Sequence, residues 1–238
     1  MHDARPHAIR DIAHRWFAFF EGETESIERH LDLFAPDVRL VHAGVHLLAE
    51  GQPAMARWLE QAPGDHDSHF IRDLSWQARS ADSARMQMDI AYQVVQADGS
   101  LGGAMIHYET EVVFDANDEA RFRFLQKTPL MPNPDRDFKD SFADNRLGAG
   151  LARLRFLSAQ HSPERIETEL LDAEAREAWR ALRSTVSLEE LADARLITQD
   201  DTALSLSLQL NSVAERRLAL TFIERPGRYP SIRQIEWR

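Results

Sequence analysis

His42 ends the run Val38-Arg39-Leu40-Val41-His42 and shares strand parity with Val38 and Leu40. If those two aliphatic side chains face a core, an imidazole faces it too. Imidazole titrates near physiological pH and can take or give a proton; the plainer role is a buried histidine satisfied by a backbone carbonyl. Tyr92 and Tyr108 lie on the apolar faces of two alternating segments joined through Asp98-Gly99. A buried phenol needs a hydrogen-bond partner, and in a dry cavity it can polarise a ligand carbonyl; otherwise the rings pack and the hydroxyls reach the rim. Gln126 shares parity with Phe122 and Phe124 and is a third polar intrusion. His42 and Tyr92 are therefore the catalytic candidates. Trp16, Trp58, His69, Tyr108 and Gln126 are the pocket-lining ones.

A metal reading rests on His42, His46, His66 and His69 with Asp65 and Asp67, all within 28 residues. Zinc accepts such ligands, but His66-Asp-Ser-His69 reads as a loop, and no helical His-x-x-x-His carries a catalytic glutamate. The expectation is no metal. No Gly-x-Gly-x-x-Gly follows a strand, and there is neither a phosphate-binding Gly-Lys-Ser/Thr loop nor a Gly-x-Ser-x-Gly elbow. No cofactor is expected.

These side chains need elements to hold them. Ile9, Ile12, Trp16, Phe19 and Phe20 recur at helical spacing over residues 8–20, and Gly22 ends that helix. Ser26, Ile27, Leu31 and Phe34 predict a short second helix stopped before Pro36. Residues 38–51 read as strand, turn and strand, and Pro53–Leu59 as a third helix. After the Pro63-Gly64 loop the period becomes two, over 69–79, 84–97, 103–115 and 120–128. Asp98-Gly99 and Ala116-Asn117-Asp118 supply hairpin turns. Met86, Met88, Ile90, Tyr92 and Val94 share one face. His107, Glu109 and Glu111 lie on the opposite face of their own strand, beside Gln87 and Asp89. Such a face is solvated or serves for dimerisation.

The order recurs. Ile27–Leu31 aligns with Ile166–Leu170 at an offset of 139, where Ile12 and Phe17 also meet Leu151 and Phe156. Trp58 meets Trp179 at 121, and Asp82 meets Asp201 at 119. The drop between offsets matches the length of the 35–52 hairpin region. The expected organisation is a pocket domain over 1–134 and a degenerate second copy lacking that hairpin over 135–238. In the second copy Leu204, Leu206, Leu208 and Leu210 form a plain apolar face.

The helix Ile9–Phe20, the segment Leu33-Phe-Ala-Pro-Asp-Val-Arg-Leu-Val-His42, the Gly51-Gln-Pro-Ala-Met-Ala-Arg-Trp58 turn and the strand opening Ser68–Trp76 cover about 120 residues. In these the chain resembles the nuclear transport factor two-like superfamily, and within it the SnoaL-like and ketosteroid-isomerase-like branch. The resemblance implies an α+β fold: a cone-shaped, curved antiparallel sheet closed by helices around an apolar cavity, here as a tandem repeat with a shortened second copy. Members range from isomerases, cyclases, epoxide hydrolases and dehydratases to proteins without catalysis, and often place a polar working residue on the strand of His42. A ketosteroid isomerase needs a carboxylate base in the pocket, whereas Asp89, Glu109 and Glu111 face away from it. A SnoaL-type aldol cyclisation or related proton transfer lets His42 act as base, with a tyrosine or Gln126 holding the substrate oxygen.

Composition narrows the classes. There are 28 basic and 39 acidic residues, a net charge of −11, which disfavours phosphate-backbone binding. Mean hydropathy is −0.44, no 18-residue apolar run exists, and the N-terminus lacks a signal-like stretch. The expectation is a cytoplasmic protein with no nucleic-acid or membrane partner. Zero cysteines exclude disulfides, thiolate metal sites and cysteine nucleophiles. Residues 1–134 hold 12 basic and 21 acidic residues and nine of the ten histidines, against 16 and 18 in residues 135–238. Arginine outnumbers lysine 26 to 2, which looks like composition bias. The first half is thus the place for acid–base chemistry, and the expected function is a cofactor-independent isomerase, cyclase or lyase acting on a small hydrophobic carbonyl compound. The alternative is a non-catalytic ligand-binding or dimerisation scaffold. A pseudo-dimer within the chain is expected, and a homo-oligomer is compatible with it.

Overall fold

The structure is a computed structural model that describes residues 3–22, 27–62, 66–211, 217–225 and 227–238. His2, Ser26, the Pro63-Gly64 loop and Asp65, all of which figure in the sequence reading, lie outside the described residues. Two compact units are formed, one by Ile12–Asn145 and one by the N-terminal segment through Asp11 together with Arg146–Arg238. The division falls inside two helices, α1 (Arg5–Phe20) and α4 (Phe142–Ala159).

In the first unit the helical stripe of α1 buries Ile12, Ala13, Trp16, Phe17 and Phe19. Gly22, at φ 143° in the left-handed region, follows its last turn. α2 (Ile27–His30) and a single 3-10 turn (Leu31–Leu33) lead directly into β1 (Phe34–His42), which therefore starts ahead of Pro36. Pro36 is tolerated there because pairing of β1 with its inner neighbour is irregular between Phe34 and Arg39. β2 (His46–Glu50) and α3 (Gln52–Glu60) follow. Then come four long strands: β3 (His66–Ser80), β4 (Ser83–Val95), β5 (Leu101–Phe114) and β6 (Ala120–Pro132).

The six strands form one curved, open sheet in the order β2-β1-β6-β5-β4-β3. Every pairing is antiparallel except that of β1 with β6, which is parallel. The α+β class expected from the sequence is the class observed. Alternation sets the buried face: Met86, Met88 and Ile90 of β4 and Tyr108, Thr110 and Val112 of β5 are buried, while Arg85 and Glu111 are exposed. Burying one such aliphatic side chain contributes about 1.5–3 kcal/mol. Register shifts at Ile71/Asp73, Met105/Ile106 and Glu111/Val112 break the ladders and bend the long strands.

The second unit carries α5 (Pro163–Glu169), α6 (Arg176–Arg183) and α7 (Leu188–Ala192) before β7 (Arg195–Asp200), β8 (Ser205–Gln209), β9 (Arg217–Ile223) and β10 (Ser231–Trp237). Its sheet is a four-stranded antiparallel meander, β10-β9-β8-β7. Leu206, Leu208, Leu218, Leu220 and Phe222 are buried. Arg146, fully buried, forks onto the Glu224 carboxylate at 2.7 and 3.0 Å. Tyr229 donates to buried Asp11 at 2.7 Å. Among the described residues no helix is long and apolar enough to cross a membrane.

Candidate functional site

A cavity of about 310 Å3 opens within the first unit, in the size range of small-ligand pockets. Its walls are mostly apolar and aromatic: Trp16 and Phe20 of α1, Trp58 of α3, and Ala104, Ile106 and Pro129 of the sheet. His42, Asp67, His69, Tyr92, Tyr108 and Lys127 interrupt them. The sheet register explains the gathering. His69 on β3 pairs with Tyr92 on β4, and Tyr92 pairs with Ala104 on β5, whose small side chain leaves room. Lys127 on β6 pairs with both Tyr108 on β5 and His42 on β1. Gly103 keeps the approach of β4 and β5 close, since a Cβ at this position, at φ 155°, would lie 2.3 Å from the Tyr92 carbonyl oxygen.

Of the residues singled out from the sequence, His42, Tyr92, Trp16, Trp58, His69 and Tyr108 all line this cavity. Gln126 is not among its lining residues. The reason is the irregularity where Glu111 pairs with Phe124 but Val112 pairs with Phe122. A strand that gains a residue there switches faces beyond it, so Leu125 is buried and Lys127, not Gln126, reaches the cavity. Phe124 instead borders a shallow outer groove with Arg79, Arg85, Glu109 and Glu111. Asp89 and His107 pair with each other at 2.7 Å on that outer face. Of the histidines weighed as metal ligands, His46 and His66 are exposed while His42 and His69 line the cavity.

The sequence reading missed the carboxylate behind His69. Glu21, whose side chain is 1% exposed, places Oε1 3.4 Å from His69 Nδ1. The same oxygen accepts the His69 backbone N–H at 2.5 Å and the Ser141 hydroxyl at 2.5 Å. Oε2 accepts Asn145 Nδ2 at 2.9 Å, and that amide also donates to the His69 carbonyl at 3.1 Å. His14 Nδ1 meets Asn145 Oδ1 at 3.1 Å, and Ser68 and Ser141 share a hydrogen bond of 3.0 Å. The signal for Glu21 was in the helix: Ile9, Ala13, Phe17 and Glu21 form one i, i+4 row, so the acid follows three buried residues on one stripe. A buried carboxylate at a helix C-terminus opposes the helix dipole, which marks a position held for a purpose other than helix stability.

The His69 ring is fixed on all sides. It stacks on Phe17 at 5.3 Å and 20° and packs against Phe20 at 5.6 Å and Tyr92 at 4.9 Å. Its Nδ1 lies 3.4 Å from Glu21 Oε1 without a hydrogen bond to it. Burial pushes the Tyr108 phenol well above its ordinary value; Trp16 opposes this and Tyr92 adds to it, so Tyr108 remains a hydrogen-bond donor at neutral pH. Burial, then the nearby Lys127 and His46 charges, hold the His42 imidazole below its ordinary value. His42 Nδ1 and His69 Nδ1 are buried with no hydrogen-bond partner among the described residues.

No protein-family model matches the chain, and none of the curated proteins matches it in sequence. Solved structures do. One is an NTF2-like protein with a cystatin-like fold from Novosphingobium aromaticivorans, 15% identical over 53% of this chain and 82% of its own, with a TM-score of 0.46. Another, described as a putative scytalone dehydratase from the same organism, is 16% identical over 56% and 89%, with a TM-score of 0.47. A hexachlorocyclohexane dehydrochlorinase from Novosphingobium barchaimii is 15% identical over 56% and 92%, with a TM-score of 0.46. At these identities and TM-scores the likeness reaches no further than fold.

Proposed function

We propose that the cavity of the first unit is the active site of a cofactor-independent proton-transfer enzyme of isomerase, cyclase or lyase type, acting on a small hydrophobic carbonyl compound. The observation that carries this reading is the His69–Glu21 pair: an imidazole packed against aromatic rings, its Nδ1 3.4 Å from a buried carboxylate, on the wall of an apolar cavity. In this reading the Glu21 carboxylate, 3.4 Å from Nδ1 in the ligand-free chain, closes to a hydrogen bond when the ligand binds and so favours the tautomer in which Nδ1 carries the proton and Nε2 the lone pair. His69 Nε2 takes a proton from the carbon next to the ligand carbonyl. The bond electrons pass to the carbonyl oxygen, where the Tyr92 and Tyr108 hydroxyls donate to the developing negative charge. His42, the base expected from the sequence, takes second place because no carboxylate orients it among the described residues, and its cationic neighbours disfavour the imidazolium that base catalysis creates.

The direct test is deuterium exchange at the α-carbon of apolar aryl ketones such as 2-tetralone in D2O, followed by NMR. Exchange accelerated by the protein and lost in His69→Gln supports the reading. A ligand that binds the cavity without accelerated exchange overturns it in favour of the non-catalytic binding role, which the apolar lining would serve equally well.

We also propose that residues 135–238 are a shortened copy of residues 1–134. Supporting this, α1, α2, α3 and β3 to β6 follow one another in the order of α4, α5, α6 and β7 to β10, with β1 and β2 of the first half and α7 of the second having no counterpart. In both, the last four strands pair in sequence as an antiparallel meander.

A further inference from the structure

Only two of the 28 basic residues are lysines, Lys127 and Lys139. Lys139 is exposed and pairs with Asp135 at 3.6 Å. Lys127 is half-buried on the cavity wall, with Nζ 5.5 Å from the Trp58 ring centre and no carboxylate partner among the described residues. Its strand neighbours, Tyr108 and His42, bring no negative charge at neutral pH. Arginine stays protonated in proteins and cannot act as a nucleophile, whereas a lysine in apolar surroundings can shed its proton. A chain that uses arginine almost everywhere thus has a lysine, and no arginine, among the described residues that line this cavity.

We propose that Lys127 is a nucleophilic amine that captures the carbonyl group of an apolar aldehyde or ketone as an iminium ion. The Nζ lone pair adds to the carbonyl carbon while the carbonyl electrons move to oxygen. One proton from nitrogen and one from solvent leave with that oxygen as water, and nitrogen keeps one hydrogen and the positive charge. The Trp58 face stabilises that cation. Burial holds the Lys127 amine below its ordinary value, which raises the fraction able to attack at neutral pH. The inference shares the cavity with the proton-transfer reading but not its base, so either can fail without the other.

The test uses the full chain, benzaldehyde and sodium cyanoborohydride, which delivers hydride to the iminium carbon and leaves a stable secondary amine. Peptide mapping by mass spectrometry is expected to place the adduct on Lys127 faster than on Lys139, because burial favours the unprotonated amine of Lys127. Lys127→Arg and Lys127→Met should each lose that adduct while Lys139 labels as before, and circular dichroism should confirm that both variants are folded. His69→Gln should label normally even though its α-exchange is lost. Labelling of Lys127 no faster than Lys139 would overturn the proposal and leave Lys127 as a fixed positive charge in the cavity wall.

Discussion

Both sheets contain an antiparallel run of four strands, long in the first unit and short in the second, and they differ also in what interrupts the buried row. On β8 and β9 the row is Leu206 and Leu208 against Leu218 and Leu220, with no polar side chain among those buried residues. On β4 and β5 polar side chains are interleaved with apolar ones: Ala84 lies opposite Val112, Met86 opposite Thr110, Met88 opposite Tyr108, Ile90 opposite Ile106 and Tyr92 opposite Ala104, with His69 and Lys127 on the flanking strands. The cavity lies at the end of the row that carries Tyr92, Ala104, Ile106 and Tyr108. Close-packed leucines fill a sheet face and leave nothing for a ligand to do, whereas rings held apart by Ala104 and hydrogen-bonding tips leave a space with chemistry around it. A fold of this kind is therefore a scaffold, and a few substitutions on one end of one face decide whether it has a site.

The contrast is broken most severely at His69. His69→Gln keeps a polar side chain of similar reach but removes the base, and α-deuterium exchange should fall by about 10^2–10^4-fold, with the melting temperature shifting far less. Loss of fold in place of loss of rate would make the Glu21 cluster a structural device. The reverse pattern is expected at Leu208, which is fully buried in the second unit. Leu208→Ala should cost about 2–5 kcal/mol in denaturant unfolding, while protein that remains folded exchanges ketone protons at the original rate.

The apolar periodicities were legible in the sequence because burial imposes them: the α1 stripe, the strand, turn and strand of β1 and β2, and the four long alternating strands all follow from spacing. Parity put His42, Tyr92 and Tyr108 on the apolar side of their strands, and all three line the cavity. It failed at Gln126 because alternation assumes an unbroken ladder, and the irregularity near Phe122 and Phe124 is set by pairing with β5, which no local pattern reveals. Glu21 was overlooked for a related reason. A charged residue beside a helix-ending glycine reads as a solvated terminus, and its donors come from Ser141 and Asn145, about 120 residues away in the chain. Lys127 was hidden by composition, since a single lysine among many arginines carries no periodic signal.

A smaller effect should separate the phenols from the rings that carry them. Tyr108→Phe leaves the packing against Phe17, whose ring centre is 5.5 Å away, and removes only the donor. Loss of one oxyanion donor costs on the order of 10^2 in rate, and binding of an apolar ketone should change little. If Tyr108→Phe weakens binding and leaves exchange per bound ligand intact, Tyr108 is a ligand contact and not a stabiliser of the developing charge.

The gentlest probe compares histidines between the units. In the second unit His7 is held from 6.5 down to about 4, first by burial and then by Arg155 and Arg10, against the weaker pull of Asp193 and Asp3. Its Nδ1 is buried without a hydrogen-bond partner among the described residues, so a proton there gains no acceptor. Between these two values the unfolded chain binds the proton and the folded chain does not. The contribution of His7 to stability is therefore complete above pH 6.5, falls as the pH drops through that window, and is exhausted near pH 4. Replacing the titrating ring in His7→Phe removes the linkage, so the melting temperature should decline less steeply on acidification in the variant than in the parent chain. Parallel declines would mean that His7 titrates alike in both states and that acid sensitivity resides in the carboxylates.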